Sequence, residues 1–94
     1  MKYFDNFESN LELILKNEKK RALFSNFIEG LPETIKKDME ILAGISDEVL
    51  FAVYYQDLSE QQKRIVNAML KVLSVTDNKD AFVRQMSTAY PHLI

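Results

Sequence analysis

Apolar residues recur along most of the chain at spacings of three and four, the period of an amphipathic α-helix. No stretch alternates between apolar and polar residues as a half-buried strand does, and no Asn-Gly or Asp-Gly hairpin turn occurs. We therefore predict an all-α protein, a compact bundle of five to six short helices that forms a single domain over residues 1–94. The predicted helices cover about residues 7–17, 19–29 and 33–43, a stretch that starts after Ser46, a stretch from Ser59 to about Ser74, and about residues 79–89.

Several predicted helix ends carry capping residues. The sequence SEQQ gives Ser59 and Gln62 the spacing of a capping box, and Ser46 is predicted to cap the fourth helix. Gly30 and Gly44 stand just after the second and third helices, where a positive φ costs glycine little. These signals predict where the helices end more sharply than the apolar stripes do.

Two segments depart from the simple stripe pattern. KNEKKR, residues 16–21, interrupts the apolar positions and is either an exposed part of one long helix or a turn at Asn17; we favour the turn. VLFAVYY, residues 49–55, is apolar nearly all round, so the fourth helix is predicted to be the most buried. Tyr54 and Tyr55 are adjacent and must point to different sides, which leaves one of them as a candidate interface anchor.

Composition narrows the classes of function. The 94 residues are 47% hydrophobic and carry a net charge of -2, without the basic excess that is usual in domains that bind nucleic acid. No cysteine is present, which removes disulfides and thiolate chemistry and fits a reducing cytoplasm. The N-terminal sequence MKYFDNFESN lacks the apolar run of a signal peptide, and no uninterrupted apolar stretch in the sequence is long enough to span a membrane. We expect a cytoplasmic protein that binds no membrane, and the charge balance disfavours nucleic acid as a partner.

Side chains suited to catalysis or to metal binding are scarce. His92 is the single histidine, and it lacks the His and Cys partners that a metal site needs. The two glycines are isolated and form no phosphate-binding loop. Acidic pairs such as Asp47 and Glu48 stand at helix starts, where the helix dipole explains them. The sequence therefore predicts a protein that is not an enzyme and holds no cofactor or metal.

The sequence SNFIEG holds the most specific candidate site. Ser25 and Glu29 are four residues apart and share one face of the second helix, and Gly30 follows directly. Glu29 lies in the last turn, where a carboxylate faces the negative end of the helix dipole at a cost of about 0.3–1 kcal/mol. The simpler interpretation is that both side chains face solvent and that Gly30 only ends the helix.

This stretch resembles the Ser/Thr-x-x-x-Glu-Gly motif of the antitoxins that inhibit Fic-domain AMP-transferases. RALFSNFIEGL is similar to the core of these antitoxins, and the likeness covers about residues 19–53. The resemblance implies that Glu29 pairs with an arginine in the partner's anion-binding site, that Ser25 supports this geometry, and that Gly30 lets the backbone approach closely. It also implies a Fic-domain enzyme as the protein partner.

Three functions remain open from the sequence. The favoured one is a small protein-binding regulator of the inhibitor, antitoxin or immunity type, with Arg21, Phe27, Tyr54 and Tyr55 as further candidate interface residues. A second is a DNA-binding or transcription-associated regulator that uses the fifth and sixth helices. A third is a structural subunit that forms a homo-oligomer through its methionine and aromatic surface.

Overall fold

Seven helices follow one another in the computed structural model, which describes the backbone of residues 8–91 and the side-chain exposure of residues 11–91. They are α1 (Glu8–Lys16), α2 (Glu18–Glu29), α3 (Glu33–Lys36), α4 (Glu40–Ala43), α5 (Glu48–Gln56), α6 (Glu60–Leu73) and α7 (Lys79–Ala89). No strand occurs within the described ranges, so the predicted all-α bundle is confirmed. The Cα radius of gyration of 12.0 Å is that of a compact bundle. Phe7 and His92 lie outside the described residues.

The longest helix, α6, forms the centre of the core. Its fully buried apolar side chains are Ile65, Val66, Met69, Leu70 and Leu73. α1 and α7 pack against it, while α2 packs against α1, α4 and α7. No helix between residues 8 and 91 is both long enough and apolar enough to cross a bilayer.

The prediction that the fourth helix is the most buried is wrong. In α5, Phe51, Ala52 and Tyr55 are buried, but Val49 and Val53 are 70% and 53% exposed. α5 packs chiefly against α1 and α4, so its neighbours cover one side of it and leave the other in solvent. An apolar run therefore does not imply burial for a helix at the edge of a bundle.

Capping residues place most helix ends where the sequence predicts them. The chain breaks at Asn17, whose side-chain oxygen accepts the Lys20 N–H at 3.0 Å, so residues 16–21 are not one long helix. Ser59 and Gln62 form the predicted capping box. The predicted cap at Ser46 is wrong, because Asp47 caps α5 and accepts the Leu50 N–H at 2.9 Å.

The predicted helix over residues 33–43 is two short helices, α3 and α4, separated by a turn. Within the turn, Asp38 has a φ of 72° and is the one described residue with a positive φ. The Gln62 side chain bonds the end of α3 and the start of this turn, since its Nε2 donates to the carbonyls of Ile35 and Lys37 at 2.7 and 2.8 Å. Those carbonyls thereby gain a donor from α6 in place of a partner within one continuous helix.

The prediction of a positive φ at the glycines is also wrong. Gly30 has a φ of -84° and Gly44 a φ of -97°, values that any residue adopts. The Gly30 N–H bonds back to the carbonyls of Asn26 and Phe27 at 3.3 and 3.2 Å. Both glycines follow a helix as predicted, but neither is needed there for its conformational freedom.

Candidate functional site

The motif residues lie at the C-terminal end of α2 and have different surroundings. Ser25 is partly buried, and its hydroxyl donates to the Ala43 carbonyl at 3.1 Å, which links α2 to the end of α4. Glu29 is exposed, and its carboxylate forms no hydrogen bond or ion pair with a described residue. The structure thus uses Ser25 internally and leaves the Glu29 side chain exposed to solvent.

A lysine compensates for the position of Glu29 at the negative end of the α2 dipole. The Lys36 ammonium lies 3.5 Å from the backbone carbonyl of Glu29 and 3.3 Å from the Glu33 carboxylate. The hydrogen bond with Glu33 raises the pKa of Lys36, with smaller contributions from neighbouring carboxylates that include Glu29. A cation near the last carbonyls of a helix is favourable, so the site tolerates Glu29 better than the position of the carboxylate on α2 predicts.

Two of the candidate interface residues make contacts inside the protein. The Arg21 guanidinium donates to the Leu15 carbonyl at 3.2 Å, which satisfies a free carbonyl at the end of α1. Phe27 is partly buried and packs edge-on against Phe82 of α7, with ring centroids 5.6 Å apart. Both side chains therefore have a structural role, whatever else they contact.

The two adjacent tyrosines point to different sides of α5, about 100° apart around its axis. Tyr55 is 2% exposed and lies in the core, so it is not available to a partner, whereas Tyr54 is 37% exposed. Tyr54 shares its side of the helix with three other exposed apolar residues, and we call these four the α5 face: Val49, Leu50, Val53 and Tyr54. At 3.6 residues per turn they span an arc of about 140°, so they form one continuous surface.

Acidic residues lie at both ends of the helix that carries the α5 face. Residues 38–62 contain six of the 14 acidic residues and none of the 12 basic ones, which leaves eight acidic and twelve basic residues in the rest of the chain. Glu48 is the first residue of α5, and Asp47 and Asp57 flank the helix on either side; all three are exposed. The acidic residues are therefore unevenly distributed despite the small net charge of -2, and the acidic segment contains the α5 face.

A cavity of about 300 Å³ lies between α2 and α7. Most of its lining is apolar, and the lining residues are Leu23, Asn26, Phe27, Gly30, Leu31, Lys79, Phe82 and Val83. Three of them, Asn26, Phe27 and Gly30, belong to the stretch SNFIEG that the sequence singles out. Within residues 8–91, no group of three or more acidic, His or Cys side chains is placed to hold a metal ion.

No protein-family model, curated protein or solved structure matches the chain. Function must therefore be inferred from the chain's own residues.

Sequence reasoning missed the surface that the structure displays most clearly. The apolar run VLFAVYY predicts a buried helix, but Val49, Leu50 and Val53 within it are exposed. The available signal was the absence of Lys and Arg from residues 38–62, which marks an acidic segment that contains this helix. Lys79 and Val83 of the cavity carry no local sequence signal, since their importance depends on how α7 packs against α2.

Proposed function

We propose that the protein is a small non-enzymatic regulator that acts by occupying the surface of another protein, which it contacts through the α5 face. The observation that carries this proposal is the exposure of Val49, Leu50, Val53 and Tyr54 side by side on one helix. Contiguous apolar patches on a protein surface commonly mark interaction sites, and tyrosine is a frequent anchor in them.

The acidic residues at the ends of α5 support a partner of complementary charge. Asp47, Glu48 and Asp57 favour a partner whose apolar contact surface is edged by Lys or Arg, because opposite charges steer the two surfaces together. Lys16 of the neighbouring α1 contributes little neutralisation, since it pairs with Glu12 at 2.6 Å. A second copy of this chain fits less well: in an antiparallel α5 pair, Asp57 of one copy would approach Asp47 and Glu48 of the other.

A matched pair of valines tests the proposal. Val49 and Val75 are 70% and 76% exposed, but Val75 lies in the turn after α6, outside the α5 face. Val49→Asp and Val75→Asp should both fold normally, because neither side chain is buried. The partner is first captured from the native cell with the unmodified protein and then purified. In calorimetric titrations we expect this partner to bind Val75→Asp as tightly as the unmodified protein, and to bind Val49→Asp more weakly.

Two results would overturn this assignment. If the purified partner binds the Val49→Asp and Val75→Asp variants equally, the α5 face is not the contact surface. If sedimentation shows a dimer of the unmodified protein that Val49→Asp dissociates, the surface serves self-association instead. A binding constant that weakens with added salt would support the basic border assigned to the partner.

A narrower form of the proposal follows from the resemblance to Fic-inhibitory antitoxins, and the exposed carboxylate of Glu29 supports it. In this form the partner is a Fic-type AMP-transferase, and Glu29 pairs with an arginine of its anion-binding site. The test is AMP transfer by a Fic enzyme encoded beside this protein, measured with added Glu29→Gly or, as a control, with the exposed Glu40→Gly. Inhibition that survives Glu29→Gly unchanged would eliminate this form and leave the broader proposal standing.

A further inference from the structure

We propose that the cavity between α2 and α7 is a binding site for a small amphiphilic carboxylate, such as a medium-chain fatty acid. Its volume of about 300 Å³ lies at the lower end of the range for small-molecule pockets. Leu23, Leu31 and Phe82 are buried core residues that also line it, so the cavity reaches apolar surface continuous with the core. An aliphatic tail finds there the surface that water wets poorly.

Gly30 contributes no side chain to the cavity that it lines. Its φ of -84° suits any residue, so the backbone does not require glycine at this position. A Cβ placed on Gly30 would meet only the carbonyl oxygens of Phe27 and Asn26, at 3.6 and 3.8 Å, which are ordinary contacts. A larger side chain would therefore fit against the protein, and its effect would be to fill the cavity that Gly30 lines.

Lys79 supplies the charge that selects an anion. It is exposed, lines the cavity, and forms no ion pair with any described residue. Two acidic residues are close to Lys79 in the sequence. The Asp77 carboxylate lies 3.7 Å from the Lys19 ammonium, and Asp80 does not line the cavity. Lys79 is also the first residue of α7, where the positive end of the helix dipole disfavours a cation and an anionic ligand would relieve it. Asn26 adds an amide that can hydrogen-bond a carboxylate.

Octanoate is the probe, with octanol and octylammonium as controls for charge. Titration of the full chain, followed through backbone amide resonances, should give saturable shifts at residues of the cavity such as Leu23, Phe27 and Val83. Octanol should bind more weakly than octanoate, and octylammonium more weakly still, because only the carboxylate is attracted by Lys79. This site is separate from the α5 face, so Val49→Asp should leave octanoate binding unchanged.

Three variants complete the test. Gly30→Leu should abolish the shifts by filling the cavity, and Val83→Trp, on the α7 side, replaces it if the first variant unfolds. Lys79→Gln should weaken binding about two- to fivefold, the range for an exposed charge pair, while the exposed Lys71→Gln on α6 should not. Non-saturating shifts, binding of octylammonium as tight as that of octanoate, or equal effects of Lys79→Gln and Lys71→Gln would each overturn the proposal.

Discussion

Gln62 links the start of α6 to the break between α3 and α4, and replacing it with glutamate tests the second of these contacts without the first. Its side-chain oxygen accepts the Ser59 N–H at 2.9 Å and completes the capping box of α6. Its Nε2 group donates to the carbonyls of Ile35 and Lys37 at the break between α3 and α4. Gln62→Glu keeps an oxygen for the cap but removes both donors, and so tests the link to the break alone.

The expected loss of stability is large for a change of one atom. Each of the two carbonyls left without its donor costs about 1–3 kcal/mol if water cannot replace it, and the lower end of this range applies to the carbonyl of the exposed Lys37. Gln62 is 9% exposed, so water reaches this site poorly. We expect Gln62→Glu to lower the free energy of unfolding at pH 7 by about 2–5 kcal/mol, a substantial part of the roughly 5–15 kcal/mol of a typical domain.

This loss should depend on pH with a definite sign. The new carboxyl group faces two carbonyl oxygens, which disfavour its charged form, while the Ser59 N–H and the N-terminus of α6 favour it. We expect the two carbonyls to dominate at this poorly solvated position, so that folding raises the pKa above the unfolded value of about 4.3. The folded state then binds the proton more tightly, and stability falls as pH rises from the unfolded to the folded pKa. Lowering the pH towards 4 should therefore recover part of the loss, because a protonated carboxyl group regains one donor.

The neighbouring Gln61 provides the control. It is exposed in the first turn of the same helix, where an added carboxylate is slightly favourable. Denaturant unfolding of both variants between pH 4 and 7, followed by circular dichroism, measures the difference. If Gln62→Glu is no less stable than Gln61→Glu at pH 7, Gln62 does not hold the α3–α4 break, and another cause must be sought for the split helix.

Two further predictions concern backbone conformation and capping. Asp38→Gly should stabilise the protein by up to about 1 kcal/mol, because a φ of 72° suits glycine better than aspartate. Asp57→Gly, at a φ of -84°, should instead destabilise it by about 0.5–1 kcal/mol. If both variants change the free energy of unfolding in the same direction, this reasoning is wrong. Asn17→Ala should lower the free energy of unfolding by about 1 kcal/mol, because it removes the N-cap of α2. The control is Asn26→Ala, at an exposed position that caps no helix. Equal losses of stability in the two variants would show that the cap contributes nothing.

The parts of the fold that sequence predicts well are those decided by neighbouring residues. The turn at Asn17 and the capping box at Ser59 and Gln62 both depend on a side chain that bonds a backbone N–H three residues away. Such contacts form whatever the rest of the chain does. They account for the agreement between the predicted and observed ends of α2 and α6.

The parts that sequence does not predict depend on contacts distant along the chain. The break at residues 37–39 is held by Gln62, 25 residues beyond Lys37, and no local signal marks it. The exposure of Val49 follows from the position of α5 at the edge of the bundle, which periodicity does not encode. The same holds for the cavity, whose walls come from α2 and α7.

The motif at the end of α2 divides into residues with separate explanations. The fold accounts for Ser25, whose hydroxyl bonds the Ala43 carbonyl. It accounts neither for the carboxylate of Glu29, which forms no ion pair with a described residue, nor for the absence of a side chain at Gly30. Lys36 merely offsets the effect of Glu29 on the helix dipole, and a φ of -84° does not require glycine. Because Glu29 faces solvent and Gly30 lines a cavity, Glu29→Gly leaves the cavity intact and Gly30→Leu leaves the carboxylate in place. Inhibition of a partner enzyme and binding of a small carboxylate can thus be tested independently at two adjacent residues.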